Sequence, residues 1–250
     1  MTAMAAPTDL AIQLYTVRRA LADDLEATLA DVAAMGFRQV ESFDLPSYGK
    51  RLATALPAAG LVCPSVHASV LDDLDRSLDG AAAIGAGLLI QPWTEPARWT
   101  TRDGVAAIAD GLNRAADAAA ARDLRVGYHN HHFELASGID GRHALEVFAN
   151  LLDPAVVLEV DAYWAFAGGA DVPALVRRLG DRVVALHLKD GDGSLDTSRQ
   201  VAAGRGVVPL RDAVAAAPTA LRIVELDDTG GDLREAIVAS RDFLLERVGA

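Results

Sequence analysis

Between Arg125 and Leu135 the chain reads RVGYHNHHFEL, which gathers three of its six histidines, His129, His131 and His132, and then Glu134 within six residues. The stretch opens apolar, at Val126 and Tyr128, and then turns polar. Three later stretches share that shape: VVLEVDAYW with Asp161, VVALHLKD with His187, and LRIVELDD with Glu225. Oxygen and nitrogen donors without a thiolate suit a divalent ion, and three carboxylates against one imidazole favour Mn²⁺ or Mg²⁺, with Co²⁺ and Zn²⁺ as alternatives. The expected ligands are Glu134, Asp161, His187 and Glu225, with His129 an alternative to Glu134 on the same strand. Such an ion holds vicinal oxygens of a sugar and polarises its carbonyl, which acidifies the neighbouring C–H. One carboxylate then takes the proton and a second returns it. Glu134 and Glu225 are the expected pair, and His131 is a further acid/base group.

These groups act together only if the chain brings several strand ends to one place. Apolar runs read as strands at 10–17, 37–43, 61–69, 87–93, 125–132, 155–164, 182–190 and 221–228. Segments with helical spacing follow each of them. After the first strand, Leu25, Leu29, Val32 and Met35 recur on one face and Gly36 supplies the stop. Pro173 fits the first turn of its helix. Asp153-Pro154 ends another, and 232–248 reads as the closing helix. Strands alternating with helices imply a parallel sheet. Eight such units in 250 residues match the size of a closed (β/α)₈ TIM barrel, whose strands deliver side chains to one rim. An open doubly wound sheet usually carries a glycine-rich turn after its first strand, whereas TVRRALADD contains no glycine. No linker or repeat divides the chain, so residues 1–250 read as one domain.

Gln13, Glu41, His67 and Gln91 also fall at or near predicted strand ends, where a barrel would turn them toward the substrate. A carboxylate in a buried strand is costly unless it is paired, hydrogen-bonded or metal-bound. Lys189 and Arg205 are candidate partners for a substrate oxygen or phosphate. Gly191–Gly206 has no period and reads as a loop over the site. Trp93, Trp99 and Trp164 suit either the wall of a sugar-sized pocket or ordinary packing.

Composition removes several classes. A formal net charge of −12, with arginines scattered along helices, argues against a nucleic-acid partner. No apolar run reaches the roughly 18 residues of a membrane span, and MTAMAAPTD lacks the basic start and apolar stretch of a signal peptide. The single cysteine, Cys63, has no intrachain partner and reads as a small buried hydrophobe, consistent with a cytoplasmic setting. Association into a homo-oligomer through rim helices is left open.

Six segments in order, IQLYTVR (12–18), YHNHHFE (128–134), LEVDAYW (158–164), HLKDGDG (187–193), GRGVVPL (204–210) and IVELDD (223–228), resemble the sugar phosphate isomerase/epimerase family of xylose isomerase-like barrels. The resemblance covers nearly the whole chain. It implies a single divalent ion held by Glu, Asp, His and Glu, matched in order by Glu134, Asp161, His187 and Glu225, and a small sugar or keto-sugar substrate. It further implies a metal-dependent isomerase or epimerase. Lyases of related barrels, namely inosose dehydratases, dehydroshikimate dehydratases and enzymes that cleave 3-keto-glycosides, are the alternative. Ketose 3-epimerases of that family carry the first glutamate on the strand, about where His129 stands here. Endonuclease IV shares the fold but uses a multi-zinc site richer in histidine, which this acidic chain does not match.

Overall fold

The computed structural model describes residues 10–246. The segment MTAMAAPTD and residues 247–250, which include the last two residues of the expected closing helix 232–248, lie outside them. Eight parallel strands close into a barrel: β1 (Leu10–Gln13), β2 (Gln39–Ser42), β3 (Val62–His67), β4 (Leu88–Gln91), β5 (Arg125–His129), β8 (Val157–Asp161), β9 (Val183–Leu188) and β10 (Leu221–Val224). A small antiparallel hairpin, β6 (Gly138–Ile139) and β7 (Arg142–His143), sits in the connection after β5. Around the barrel the order is β1-β10-β9-β8-β5-β4-β3-β2. The eightfold alternation expected from the sequence is therefore the architecture observed.

The strands are shorter than their apolar runs. β1 stops at Gln13, and Leu14–Val17 is a 3-10 turn leading into a helix at Arg18–Asp23. β8 stops at Asp161, whose Oδ1 accepts the Trp164 N–H at 2.8 Å and so caps the helix Ala162–Ala167. Apolarity reports burial, and a buried helical turn is as apolar as a buried strand. Aspartate and threonine side chains start many of the outer helices by accepting a first-turn N–H, among them Asp24, Asp73, Thr101, Asp171 and Asp232.

Two faces of each strand are buried, against the helices outside and within the barrel. Leu89, Val126, Leu158, Leu186 and Val224 belong to the large outer cluster. Inside, Ala11, Ala185 and Ile223 pack together as a separate small cluster. Because side chains alternate along a strand, Gln13, His187 and Glu225, each two residues further on, stand above that cluster. A Cβ at Gly127 of β5 would lie 2.6 Å from Ile90 Cδ1 and 3.1 Å from the Val157 carbonyl, so a side chain there would have to displace Ile90.

Cys63 is buried in β3, with Sγ 3.1 Å from the Ser65 carbonyl. Burial pushes its thiol up to about 12, so the reactive thiolate is scarce at neutral pH. The native protein should resist an aromatic disulfide reagent at pH 8 and take up one equivalent promptly after unfolding in urea. Prompt native reaction would show that β3 opens locally.

Candidate active site

The C-terminal ends of the strands converge on a buried polar layer. His187 of β9 crosses the barrel to Glu41 of β2, with Nε2 2.6 Å from Oε1, and its Nδ1 lies 2.6 Å from Glu225 Oε2. His67 of β3 reaches Glu159 of β8 at 2.7 Å, and His129 Nδ1 reaches the same oxygen at 2.9 Å. Gln13 Nε2 donates to Glu41 Oε1 at 2.8 Å. Side-by-side register places His129 next to Glu159 and Asp161 next to His187. Glu41, Glu159, Asp161 and His187 are wholly buried.

Such a concentration of buried carboxylates demands positive charge. Lys189 provides one cation: its Nζ is 3.0 Å from Asp161 Oδ2, 2.7 Å from Glu225 Oε2 and 2.9 Å from Asp227 Oδ2. Burial would lower the Lys189 pKa, but Asp161, Asp227 and Glu225 outweigh it and raise it well above the ordinary value. His187 is raised likewise, against burial, by Glu159, Glu225 and Glu41. Burial works to raise Glu225, yet Lys189 and His187 hold it well below the usual range. For Asp161 burial prevails and pushes the carboxyl up to about 6. Burial, joined by the charge of Lys189, lowers His131 to about 3, so that ring is neutral.

Whether these residues fit a metal is decided by their donors. Asp161, His187 and Glu225 each offer a ligand atom within 4.8 Å of the others, and so do His67, His129, Glu159 and His187. Asp161 Oδ2, Glu159 Oε2 and Glu41 Oε2 are buried with no hydrogen-bond partner among the described residues. The Lys189 ammonium already stands as a cation against two members of the first set. The residues fit a divalent ion.

Of the expected ligands, Asp161, His187 and Glu225 come together and Glu134 does not. Glu134 lies in a short helix after β5 and belongs to neither cluster of potential ligand atoms. Its Oε1 accepts the Tyr128 O–H at 2.7 Å and its Oε2 the His131 N–H at 2.8 Å. Burial pushes this carboxyl up to about 8. His129, on the strand itself, lies with Nε2 3.7 Å from Asp161 Oδ2. The correction is geometric: the chain turns at Asn130, so a residue five positions past His129 no longer shares its face. Gln91 also turns aside, bonding the Leu71 N–H and the Trp93 carbonyl, and Arg205 is exposed on the loop.

A cavity of about 480 Å³ opens over this layer. His67, His129, His131, Lys189, Glu225 and Asp227 form its floor, and Tyr15, Phe43 and Trp93 part of its wall. Trp99 packs in the core against Tyr128 and Phe148, and Trp164 is buried beside His132. The Gly191–Gly206 loop is tied down by Asp190, whose carboxylate accepts the N–H groups of Gly204, Gly206 and Val208. A Cβ at Gly206 would lie 2.1 Å from Asp190 Oδ1, and Gly204 adopts φ +83°, which together account for the two glycines of GRG. From the same loop Gln200 donates to Asp227 Oδ2 at 2.8 Å and accepts the Asp227 N–H at 2.7 Å.

Residues 29–244 match the family model described as Xylose isomerase-like TIM barrel. The chain belongs to that family. Over 139 residues it is 28% identical to an inosose dehydratase of Geobacillus kaustophilus (strain HTA426), which covers 52% of this chain and 44% of that enzyme. The match thus spans less than half of the dehydratase. A sugar phosphate isomerase/epimerase from Parabacteroides distasonis ATCC 8503 superposes with a TM-score of 0.81 at 22% identity, covering 98% of this chain and 96% of that one. The IOLI protein, solved with a zinc atom bound, superposes at 0.66 with 15% identity, covering 94% and 95%.

This xylose isomerase-like barrel also uses residues that reading the sequence for single strand-end groups missed: Glu159, Asp227, Asp190 and Gln200. The signal for the first two was a spacing of two. Glu159 and Asp161, His187 and Lys189, and Glu225 and Asp227 each form a polar-apolar-polar triplet at a strand end, so both polar groups face inward. No comparable pattern marks Gln200 or Asp190.

Replacing Glu134 by Ala would remove the acceptor of the part-buried His131 N–H and the 2.7 Å acceptor of the Tyr128 hydroxyl, leaving that hydroxyl Thr94 Oγ1 at 3.2 Å. Each such loss costs roughly 1–3 kcal/mol. Urea unfolding of E134A should show a loss of about 2–4 kcal/mol, and a change near zero would show that Glu134 does not hold this turn.

Proposed function

We propose that the protein is a divalent-metal-dependent enzyme that moves a proton next to the carbonyl of a ketose or keto-sugar, as an isomerase or epimerase. One observation carries this reading. Asp161, His187 and Glu225 form a ligand set within 4.8 Å beside a cavity that the ring of His131 also lines. Asp161, His187 through Nδ1, and Glu225 would hold the ion, with His129 through Nε2 as the fourth ligand in place of Glu134. Glu159 behind His129, and Glu41 behind His187, are placed to orient those rings, the usual role of carboxylates behind ligating histidines. The zinc in the IOLI protein supports a metal in this fold, while the donor set favours no single ion. When bound, the ion supplies Lewis acidity toward a carbonyl oxygen.

The chain's own residues supply the rest. The neutral ring of His131 on the cavity floor is the group assigned to take the proton from the carbon next to the carbonyl. Glu225, also on that floor, is the second group able to exchange it, which replaces the expected pair of Glu134 and Glu225. Lys189 and His67 present donors to developing negative charge on oxygen. Tyr15, Phe43 and Trp93 offer apolar faces to the C–H side of a sugar ring.

Elimination is the second reading, favoured by the dehydratase relative and by histidine standing at the strand position of a glutamate. Its first step is the same proton removal, followed by departure of a β-oxygen.

Proton NMR in D₂O, after turnover with Mn²⁺ and removal of the ion, separates the two over a panel of ketoses, inososes and 3-keto-glycosides. Deuterium beside the carbonyl with a stereoisomer or aldose product is expected. Loss of water or of an aglycone would assign elimination, and no exchange over the panel would overturn the proposal. H131N should lower the exchange rate by about 10²–10⁴-fold while leaving metal affinity within a few-fold. Chelation should abolish exchange and added Mn²⁺ restore it; exchange that persists after exhaustive chelation would remove the metal from the scheme.

A further inference from the structure

The ammonium of Lys189 lies on the cavity floor against two members of the ligand set, Asp161 and Glu225. Lys189 and Glu225 line the cavity, whereas Asp161 and His187 do not and are fully buried. An ion entering from the cavity therefore meets Lys189 and Glu225 before it reaches Asp161 and His187. The three carboxylates around Nζ are not equivalent. Only Asp227 receives a hydrogen bond of good geometry, at 2.9 Å. Asp161 Oδ2, 3.0 Å away, has no aligned donor and is left unpartnered. Asp227 is in turn immobilised: Gln200 holds its carboxylate and its N–H, and Arg18 donates to its carbonyl at 2.7 Å.

We propose that Lys189 is an internal cation that competes with the divalent ion for Asp161 and Glu225, and that Asp227, fixed by Gln200, is the acceptor that retains the ammonium when the ion binds. The proposal rests on the metal reading above. Two cations a few ångströms apart in a site of low dielectric repel strongly, so the ammonium must leave the shared carboxylates as the ion arrives. Nζ needs only to give up its contacts with Asp161 and Glu225, because its hydrogen bond to Asp227 already exists. The lysine then stays on the cavity floor, where its donors face a substrate oxygen. Metal affinity is thereby set partly by a residue that is not a ligand, and the Asp227–Gln200 pair tunes it.

Calorimetric titration with Mn²⁺ of the wild type, K189M, D227N and the double variant tests this, with K189Q as a polar alternative should K189M fold poorly. Removing the competitor should tighten Mn²⁺ binding at least tenfold in K189M and K189Q. D227N should weaken binding at least tenfold when Lys189 is present, since the ammonium then falls back on Asp161 and Glu225. In the K189M background the same change should weaken it at least fivefold less, leaving only the loss of one nearby charge. Unchanged or weaker binding in K189M and K189Q would overturn the proposal, as would a D227N effect of equal size in both backgrounds. If neither the wild type nor either Lys189 variant binds Mn²⁺, Co²⁺ or Zn²⁺, the metal reading itself fails. Equal binding by all of them overturns the Lys189 proposal alone.

Discussion

Buried negative charge is the constraint on which this molecule turns. Glu41, Glu159, Asp161 and Glu225 lie together at the barrel mouth, almost wholly removed from water. Taking such ions out of water costs several kcal/mol each unless charge and hydrogen bonds compensate. Lys189, His187 and His67 are the compensation within the chain, and each is contacted by at least two of these or the neighbouring carboxylates. The layer meets the cavity through His67, His129, Lys189 and Glu225, while Glu41, Glu159 and Asp161 are buried behind them. A strongly charged ligand that enters there is met by groups already oriented toward it.

The rest of the fold serves to hold that layer still. The helices bury the outer faces of the strands, and the small interior cluster of Ala11, Ala185 and Ile223 fills the barrel below. Hydrogen bonds behind the reactive groups fix their orientation: Gln13 holds Glu41, Asn130 accepts the Asp161 N–H at 3.1 Å, and Glu134 holds the His131 turn. Asp190 does the same for the long loop, which brings Gln200 to Asp227. Glu134 illustrates how a residue chosen for its chemistry can be structural. Its carboxyl group accepts the Tyr128 hydroxyl and the His131 N–H, and the proposed metal site gives the position expected of it to His129.

Strand-end chemistry was legible because a barrel sends every strand toward one rim. Asp161, His187 and Glu225 could be paired from sequence without knowing distances, since each ends an apolar run that must be a buried strand. The fourth position was not legible in the same way. The turn after His129 decides which of His129, His131 and Glu134 faces inward, and a turn leaves no periodicity to read. The pairs Glu159/Asp161, His187/Lys189 and Glu225/Asp227 were visible as a spacing of two, but their meaning depends on both members pointing inside.

By itself the sequence determined the alternation of eight strands and helices, the closed parallel barrel and the apolar-to-polar switch at the strand ends. Those follow from local periodicity and from the cost of burying a carboxylate, which are properties of short segments. Only the tertiary structure decided that His187 meets Glu41 across the barrel, that Lys189 on the cavity floor lies against Asp161, and that Gln200 secures Asp227. These residues are separated by 146, 28 and 27 positions in the chain. Their meeting is fixed by the closure and register of the barrel, which no local pattern encodes.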